Sequence, residues 1–340
     1  MKILLIGGTG TISLAISQRL QELGHTLTLF NRGKSKAFVP VGAELICGDI
    51  QNEAEIAKLL QGRKFDVVAN FIAFEVTDVQ RDFRLFQEIT DQYIFISSAS
   101  AYQKPAVSPF ITESTPLSNP YWVYSRKKIA CEEWLMERFR EDKFPITIVR
   151  PSHTYGNTKV PLALSGHKGS WPVVRRIMDG KPVLIHGDGS SLWTLTHNTD
   201  FAKGFIGLLG NCHAIGQAVH ITSDESLTWT QIHEIIAQKV GGKLVPCYVP
   251  SDTIIKVGKR FGYDYEGGLM GDKATTVIFD NSKLKKLVPD FVATTRFDLG
   301  IADTIEHILK NPQYQTEDKD YEEFTVYLHQ KMQEMEGKLA

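Results

Sequence analysis

Cysteine is scarce in this chain. Only four occur among 340 residues, at Cys47, Cys131, Cys212 and Cys247, far apart and without the spacing of a zinc or disulfide framework. That excludes a disulfide-stapled fold and points to free thiols in a reducing compartment. An excess of one charge sign is also missing. The 38 Lys and Arg residues against 39 Asp and Glu leave a formal net charge of −1, which argues against a dedicated nucleic-acid binder. No apolar run approaches the ~20 residues of a membrane span. Residues 1–6 are too short for a secretory signal and pass straight into glycines, so the expected compartment is the cytoplasm. The ten histidines form no His-Glu-x-x-His set, and no metal is expected. There is no internal repeat and no low-complexity stretch.

What is present is a rhythm of strands and helices. Apolar runs suited to buried parallel strands lie at 2–6, 26–30, 44–47, 66–72, 93–97 and 146–150,. Helical patterns fall between them, the first ending at Gly24, others at about 52–60 and 77–90. Six strands with crossovers predict an α/β fold, a Rossmann-type doubly wound parallel sheet. After Arg150 the loops lengthen. Strand signals at 183–186, 195–197 and 218–222 alternate with helices near 171–179, 201–209 and 230–240. The expected organisation is a dinucleotide-binding domain over 1–150, with returns from the later chain, and a smaller mixed substrate-binding region over 151–312. A charged helical tail closes the chain at 313–340.

The turn Gly7-Gly8-Thr9-Gly10-Thr11-Ile12-Ser13 follows a strand and opens a helix, the context that a pyrophosphate seat requires. Gly7 and Gly8 permit the tight turn, and Gly10 lets backbone approach a phosphate. Thr9, Thr11 and Ile12 complete the seat, while Ser13 departs from the usual Gly or Ala. At the end of the second strand an acid would hold the ribose hydroxyls of NAD. Asn31 and Arg32 stand there instead, with Lys34 and Ser35 nearby, which favours the 2′-phosphate of NADP over NAD. Asp49 and Ile50 end the third strand, where a carboxylate can accept from an adenine amino group. Phe71, Ile72 and Ala73 end the fourth and can line the cofactor.

The fifth strand ends in Ser97-Ser98-Ala99-Ser100-Ala101-Tyr102, ahead of Tyr124-Ser125-Arg126-Lys127-Lys128. A Tyr and a Lys four apart share one helix face, where an ammonium can favour the phenolate. The spacing recurs at Tyr155/Lys159 and Tyr327/Lys331, so only context selects Tyr124/Lys128, the pair that follows the serine-ended strand. Taken together, residues 1 to 310 resemble an extended short-chain dehydrogenase/reductase of the NAD-dependent epimerase/dehydratase family. Two later stretches carry the resemblance further, Val149-Arg150-Pro151-Ser152-His153-Thr154-Tyr155-Gly156 and Gly187-Asp188-Gly189 leading to Thr196-His197-Asn198-Thr199-Asp200.

The resemblance implies that Ser98, Tyr124 and Lys128 are catalytic, with Tyr124 as acid/base and Ser98 bonded to the reacting oxygen. Lys128 would bind the nicotinamide ribose and depress the Tyr124 pKa. It adds Ser97, Pro151 and His153 to the cofactor contacts and matches Glu132 to the family's helix. It further implies hydride transfer at a secondary alcohol or ketone of a sugar-like molecule, and pairing of two copies through the Tyr124/Lys128 helix. Trp193-Thr194 replaces the Arg-Asp pair of nucleotide-sugar members, and Ser152-His153 replaces a usual Asn. The substrate expected is therefore not an ordinary nucleotide diphosphate sugar, unless Arg175, Arg176 or Lys168 binds the diphosphate instead. A rival reading keeps the fold and a resident cofactor without turnover, as an RNA-associated binder. The near-neutral charge and the complete Ser98/Tyr124/Lys128 set speak against it.

Overall fold

The computed structural model describes residues 1–34 and 36–339; Ser35 lies outside the described residues. Seven strands build the central sheet: β1 (Lys2–Ile6), β2 (Thr26–Asn31), β3 (Glu44–Cys47), β4 (Val67–Asn70), β5 (Tyr93–Ile96), β6 (Ile146–Pro151) and β7 (Gln217–Ile221). Their order is β3-β2-β1-β4-β5-β6-β7, and each neighbouring pair is parallel. The strands are apolar throughout because both faces are covered. Ile3 and Leu5 join a core with Phe201, Phe205 and Leu208 on one face, whereas Leu4 and Ile6 join Val79, Phe86 and Leu135 on the other.

The strand signal at 218–222, read with the smaller region, is β7 and pairs with β6 in the main sheet. The fourth strand is shorter than its apolar run, because Asn70 turns the chain: its Oδ1 accepts the Ile72 N–H at 2.8 Å. Five helices flank the sheet, α1 (Thr11–Glu22), α2 (Glu53–Leu59), α3 (Val76–Phe86), α4 (Val123–Asp142) and α5 (Asn198–Leu208). Gly24 follows α1 with φ of +75°, the left-handed conformation its place after the helix called for,.

While Leu284 and Phe291 return to the core on the sheet, much of the remaining chain forms a third core beyond the carboxyl ends of the strands. It holds Trp171, Trp193, Trp229 and Tyr265 together with Tyr321, Phe324 and Leu328 of the final helix, Lys319–Leu339. That helix is therefore docked along one face despite its charged composition. No helix among the described residues is long and apolar enough to cross a membrane.

Candidate functional site

Chain order jumps from one sheet half to the other between β1 and β4, and ligands of open sheets bind at such a switch point. The glycine turn sits there. Gly7 takes φ of +86°, and a Cβ on it would lie 2.8 Å from Ile72 Cγ2. Ser13 has a definite job: its Oγ accepts the Gly10 N–H at 2.9 Å and donates to the Gly7 carbonyl at 2.8 Å. Ser17 Oγ likewise donates to the Gly8 carbonyl at 2.7 Å. Two serines of α1 thus hold the turn shut. The first N–H groups of the helix, those of Thr11 and Ile12, have no intrahelical acceptor.

A cavity of about 560 Å³ opens above this turn, lined by Gly7, Thr9, Gly10, Asn31, Arg32, Lys34, Asp49, Ile50, Ile72 and Phe74 among others. Asn31 Oδ1 accepts the Gly33 N–H at 2.8 Å, whereas its buried Nδ2 has no partner among the described residues. Arg32 and Lys34 are exposed and have no carboxylate partner among them. The open space beside Gly10, the free N–H groups, the orphan amide and the two cations fit an elongated molecule with phosphate groups. Gly48, Gln51, Phe30 and Phe74 also line the cavity, although their residue types gave no signal.

A smaller cavity of about 270 Å³ holds Ser98, Ser100, Trp122, Tyr124, Pro151, Ser152, His153 and Trp193, with Asp272 and Lys273 from the far end of the chain. The two cavities are neighbours, since Phe74 of the first contacts Tyr124 of the second, ring centroids 6.3 Å apart. Ser98 Oγ is bonded to Ser100 Oγ at 2.8 Å, and Ser125 Oγ donates to Ser100 at 2.7 Å. The serine-ended strand is thereby tied to α4 one residue after Tyr124. Asp78 holds the Phe74 loop by accepting the Phe74 and Glu75 N–H groups at 2.9 and 3.1 Å.

Lys128 is 2% exposed and lines neither cavity. Its Nζ donates to the Ala73 and Ile96 carbonyls at 2.7 Å each and sits 4.5 Å from the Phe74 ring centroid. Burial among rings pulls its pKa down from 10.5 to about 8,. The expected depression of Tyr124 is not found. Burial pushes the phenol up, the Ser98 hydroxyl pulls it down and Asp272 adds to the rise. The ammonium is engaged by carbonyls instead, 5.8 Å from the Tyr124 ring centroid.

Three further expected cofactor contacts have groups turned elsewhere. Ser97 turns its hydroxyl into a buried cluster with Glu132, so its side chain faces away from both cavities. Phe71 packs against Phe205 of α5 at 5.6 Å, on the opposite side of the sheet from Phe74. Ala73 presents its carbonyl to Lys128 and does not line the large cavity. His153 does line the small one; burial, then Lys273 and Lys159, push its pKa well below the ordinary value.

The Lys128 ammonium has a consequence for stability. Between its folded pKa of about 8 and its ordinary 10.5, the native state binds fewer protons than the unfolded chain. Its contribution to unfolding free energy therefore rises with pH across that window. Relative to Lys128→Met, the wild type should gain roughly 2–3 kcal/mol from pH 8 to 10.5. Urea midpoints of the two proteins across that range test this, and a gap independent of pH would refute it.

Comparison with known proteins agrees with the fold. The NAD dependent epimerase/dehydratase family model matches residues 3–221. A 2'-dehydrokanamycin reductase of Streptomyces kanamyceticus is 25% identical over 255 residues, 74% of this chain and 70% of that one. The chloroplast stem-loop binding protein of 41 kDa b of Arabidopsis thaliana is 28% identical over 256 residues, covering 71% of this chain and 63% of its own. The chain thus spans less than two thirds of that second relative. Among solved structures, UDP-glucuronic acid 4-epimerase from Bacillus cereus, in complex with UDP-glucuronic acid and NAD, superposes with a TM-score of 0.73. It is 20% identical, over 91% of this chain and 99% of that one. With the matched span exceeding half the sequence and the glycine turn at the switch point, the chain belongs to the NAD-dependent epimerase/dehydratase family of enzymes.

Proposed function

We propose that this protein catalyses NAD(P)-dependent hydride transfer at a secondary alcohol or ketone of a small sugar-like molecule, with Tyr124 as the general acid/base. The observation that carries this reading is the closeness of the two cavities at the Phe74–Tyr124 contact, with Ser98 lining the smaller one and the Lys128 ammonium 4.5 Å from the Phe74 ring centroid. When bound, the nicotinamide supplies or accepts the hydride. The chain's own groups handle the proton. Ser98, aimed by Ser100, hydrogen-bonds the reacting oxygen, and Tyr124 exchanges the proton with it. Lys128 has used two of its three N–H donors on carbonyls, and the third serves a ribose hydroxyl.

NADP is the preferred form on this reading. Arg32 and Lys34 line the end of the large cavity beside Asn31, where a 2′-phosphate would sit,. Arg32→Ala should weaken NADPH about tenfold or more while leaving NADH nearly unchanged, since the loss falls on a phosphate contact. Fluorescence titration of both cofactors checks this, and tighter NADH binding by the wild type would overturn it.

The substrate is read as something other than an ordinary nucleotide diphosphate sugar. Trp193 is 2% exposed and stacks on Trp229, ring centroids 5.9 Å apart, so it forms a wall that cannot neutralise a diphosphate. Of the three other candidate cations, Lys168 is exposed with no carboxylate partner for its ammonium among the described residues, whereas the two arginines are engaged elsewhere. Arg175 pairs with Asp179 at 3.0 Å and Arg176 with Glu322 at 2.6 Å. The small cavity, at about 270 Å³, also lies below the roughly 300–1,000 Å³ of drug-sized sites. Calorimetric titration of the cofactor-loaded protein with UDP, GDP and dTDP sugars is the test; micromolar binding that depends on the diphosphate would refute this substrate class.

A further inference from the structure

One wall of the small cavity is not used by the hydride-transfer chemistry. It comes from the π-helical turn Leu269–Lys273, whose last two residues line the cavity; π-turns concentrate at functional sites. Several contacts fix this turn. Asn119 Nδ2 donates to the Gly271 carbonyl at 2.7 Å, while Asn119 Oδ1 accepts the Trp122 N–H at 3.2 Å. Just ahead of the turn, a Cβ on Gly267 would lie 2.2 Å from the Trp122 ring, so glycine there lets backbone and indole touch. The Lys273 carbonyl accepts from the Trp229 indole and from His186, each at 3.1 Å. The result places Lys273 Nζ 5.8 Å from the ring centroids of both Trp122 and Trp193.

The charges around this wall are unequal. Asp272 is the carboxylate among the lining residues, and it pairs with Lys273 at 2.9 Å. Lys104, only 4% exposed, stands within coulombic reach of both, and Lys159 within reach of Lys273. At the cavity itself Lys273 is paired with one carboxylate, and two further lysines outside its lining add positive charge nearby. Two ring nitrogens at the same cavity, Trp193 Nε1 and His153 Nδ1, are buried without a partner among the described residues. Surplus positive charge beside unpaired ring nitrogens suits an oxyanion and opposes an amine.

We propose, building on the hydride-transfer reading above, that the substrate is a sugar-sized molecule bearing an anionic oxygen group, carboxylate or phosphate, and that Lys273 binds this group between Trp122 and Trp193. Tyr124, which lines the same cavity, serves the reacting carbon's oxygen. The carboxylate and phosphate sources are separated by the test itself. The NADP-loaded protein is titrated calorimetrically with D-glucuronate, D-glucose 6-phosphate and neutral D-glucose. At least one anion should bind tenfold or more tightly than glucose. Lys273→Met should erase that preference and Lys273→Arg should keep it, with NADPH affinity unchanged in both. The better anion names the group. Equal binding of glucose, no measurable binding of either anion, or an anion preference that survives Lys273→Met would each overturn the proposal. Binding is read without turnover, so a failure of Tyr124→Phe to reduce activity would count against the hydride-transfer reading alone.

Discussion

Tyr124→Phe should lower turnover on the order of 10²-fold or more, with cofactor affinity unchanged. The substitution removes one hydroxyl and keeps the ring. That ring packs on Phe74 and on Trp122, centroids 6.3 and 5.1 Å away, so the wall between the cavities survives. On the proposed function, what is lost is the proton-exchanging group beside Ser98. Because burial raises the phenol in this structure, Tyr124 stays protonated at neutral pH until the site assembles. It is thus set up as an acid toward a ketone, and the reverse reaction should be favoured by raising pH. Cofactor absorbance in steady state measures the loss, and turnover near the wild-type level would end the assignment of Tyr124.

The sheet was legible because its strands are buried on both faces and so read as unbroken apolar runs. The same runs misled at one end, since the stretch 66–72 continues apolar beyond Asn70, where a side-chain bond turns the chain. The glycine turn was legible too, and the departure at Ser13 has a local explanation that only coordinates reveal. A hydroxyl at that place can both accept from Gly10 and donate to Gly7, which an alanine cannot do.

The small cavity was only half legible. Tyr124 is singled out by its place after the serine-ended strand, and Ser98 is what the family resemblance implies. Asp272 and Lys273 are not legible, for the turn that carries them has neither period 2 nor period 3.6, and its carbonyls are held by the distant side chains of Asn119, His186 and Trp229. The electrostatics of Tyr124 and Lys128 were misjudged for a related reason. Spacing of four brings two side chains to one helix face, but it says nothing of the carbonyls waiting for the ammonium. Ala73 and Ile96 come from two other strand ends, and their claim on Lys128 is a tertiary fact.

Glu132→Ala should be the most destabilising change near the site, costing about 3–5 kcal/mol in urea unfolding. Glu132 stands on α4 one turn beyond Lys128 and is almost fully enclosed, as is its partner Arg150, with side chains 3% and 5% exposed. Water therefore screens the pair little. The carboxylate accepts from Arg150 Nε at 3.0 Å and from the Ser97 hydroxyl as well. Removing it leaves a buried guanidinium whose Nη1 has no partner among the described residues, beside the Tyr102 ring, 4.9 Å from the centroid. Glu132→Gln should cost less, because an amide oxygen can still accept from Ser97 and Arg150. The effect should reach the chemistry also. Glu132 joins α4 to the ends of β5 and β6, and Ser97 and Ser98 are adjacent, so this one carboxylate sets where Tyr124 stands against Ser98. The folded fraction of Glu132→Ala should accordingly show reduced kcat, while NADPH titration at the distant glycine turn stays near wild type. A loss of stability under about 1 kcal/mol would show that Arg150 finds water or another partner, and that α4 is held by its apolar face alone.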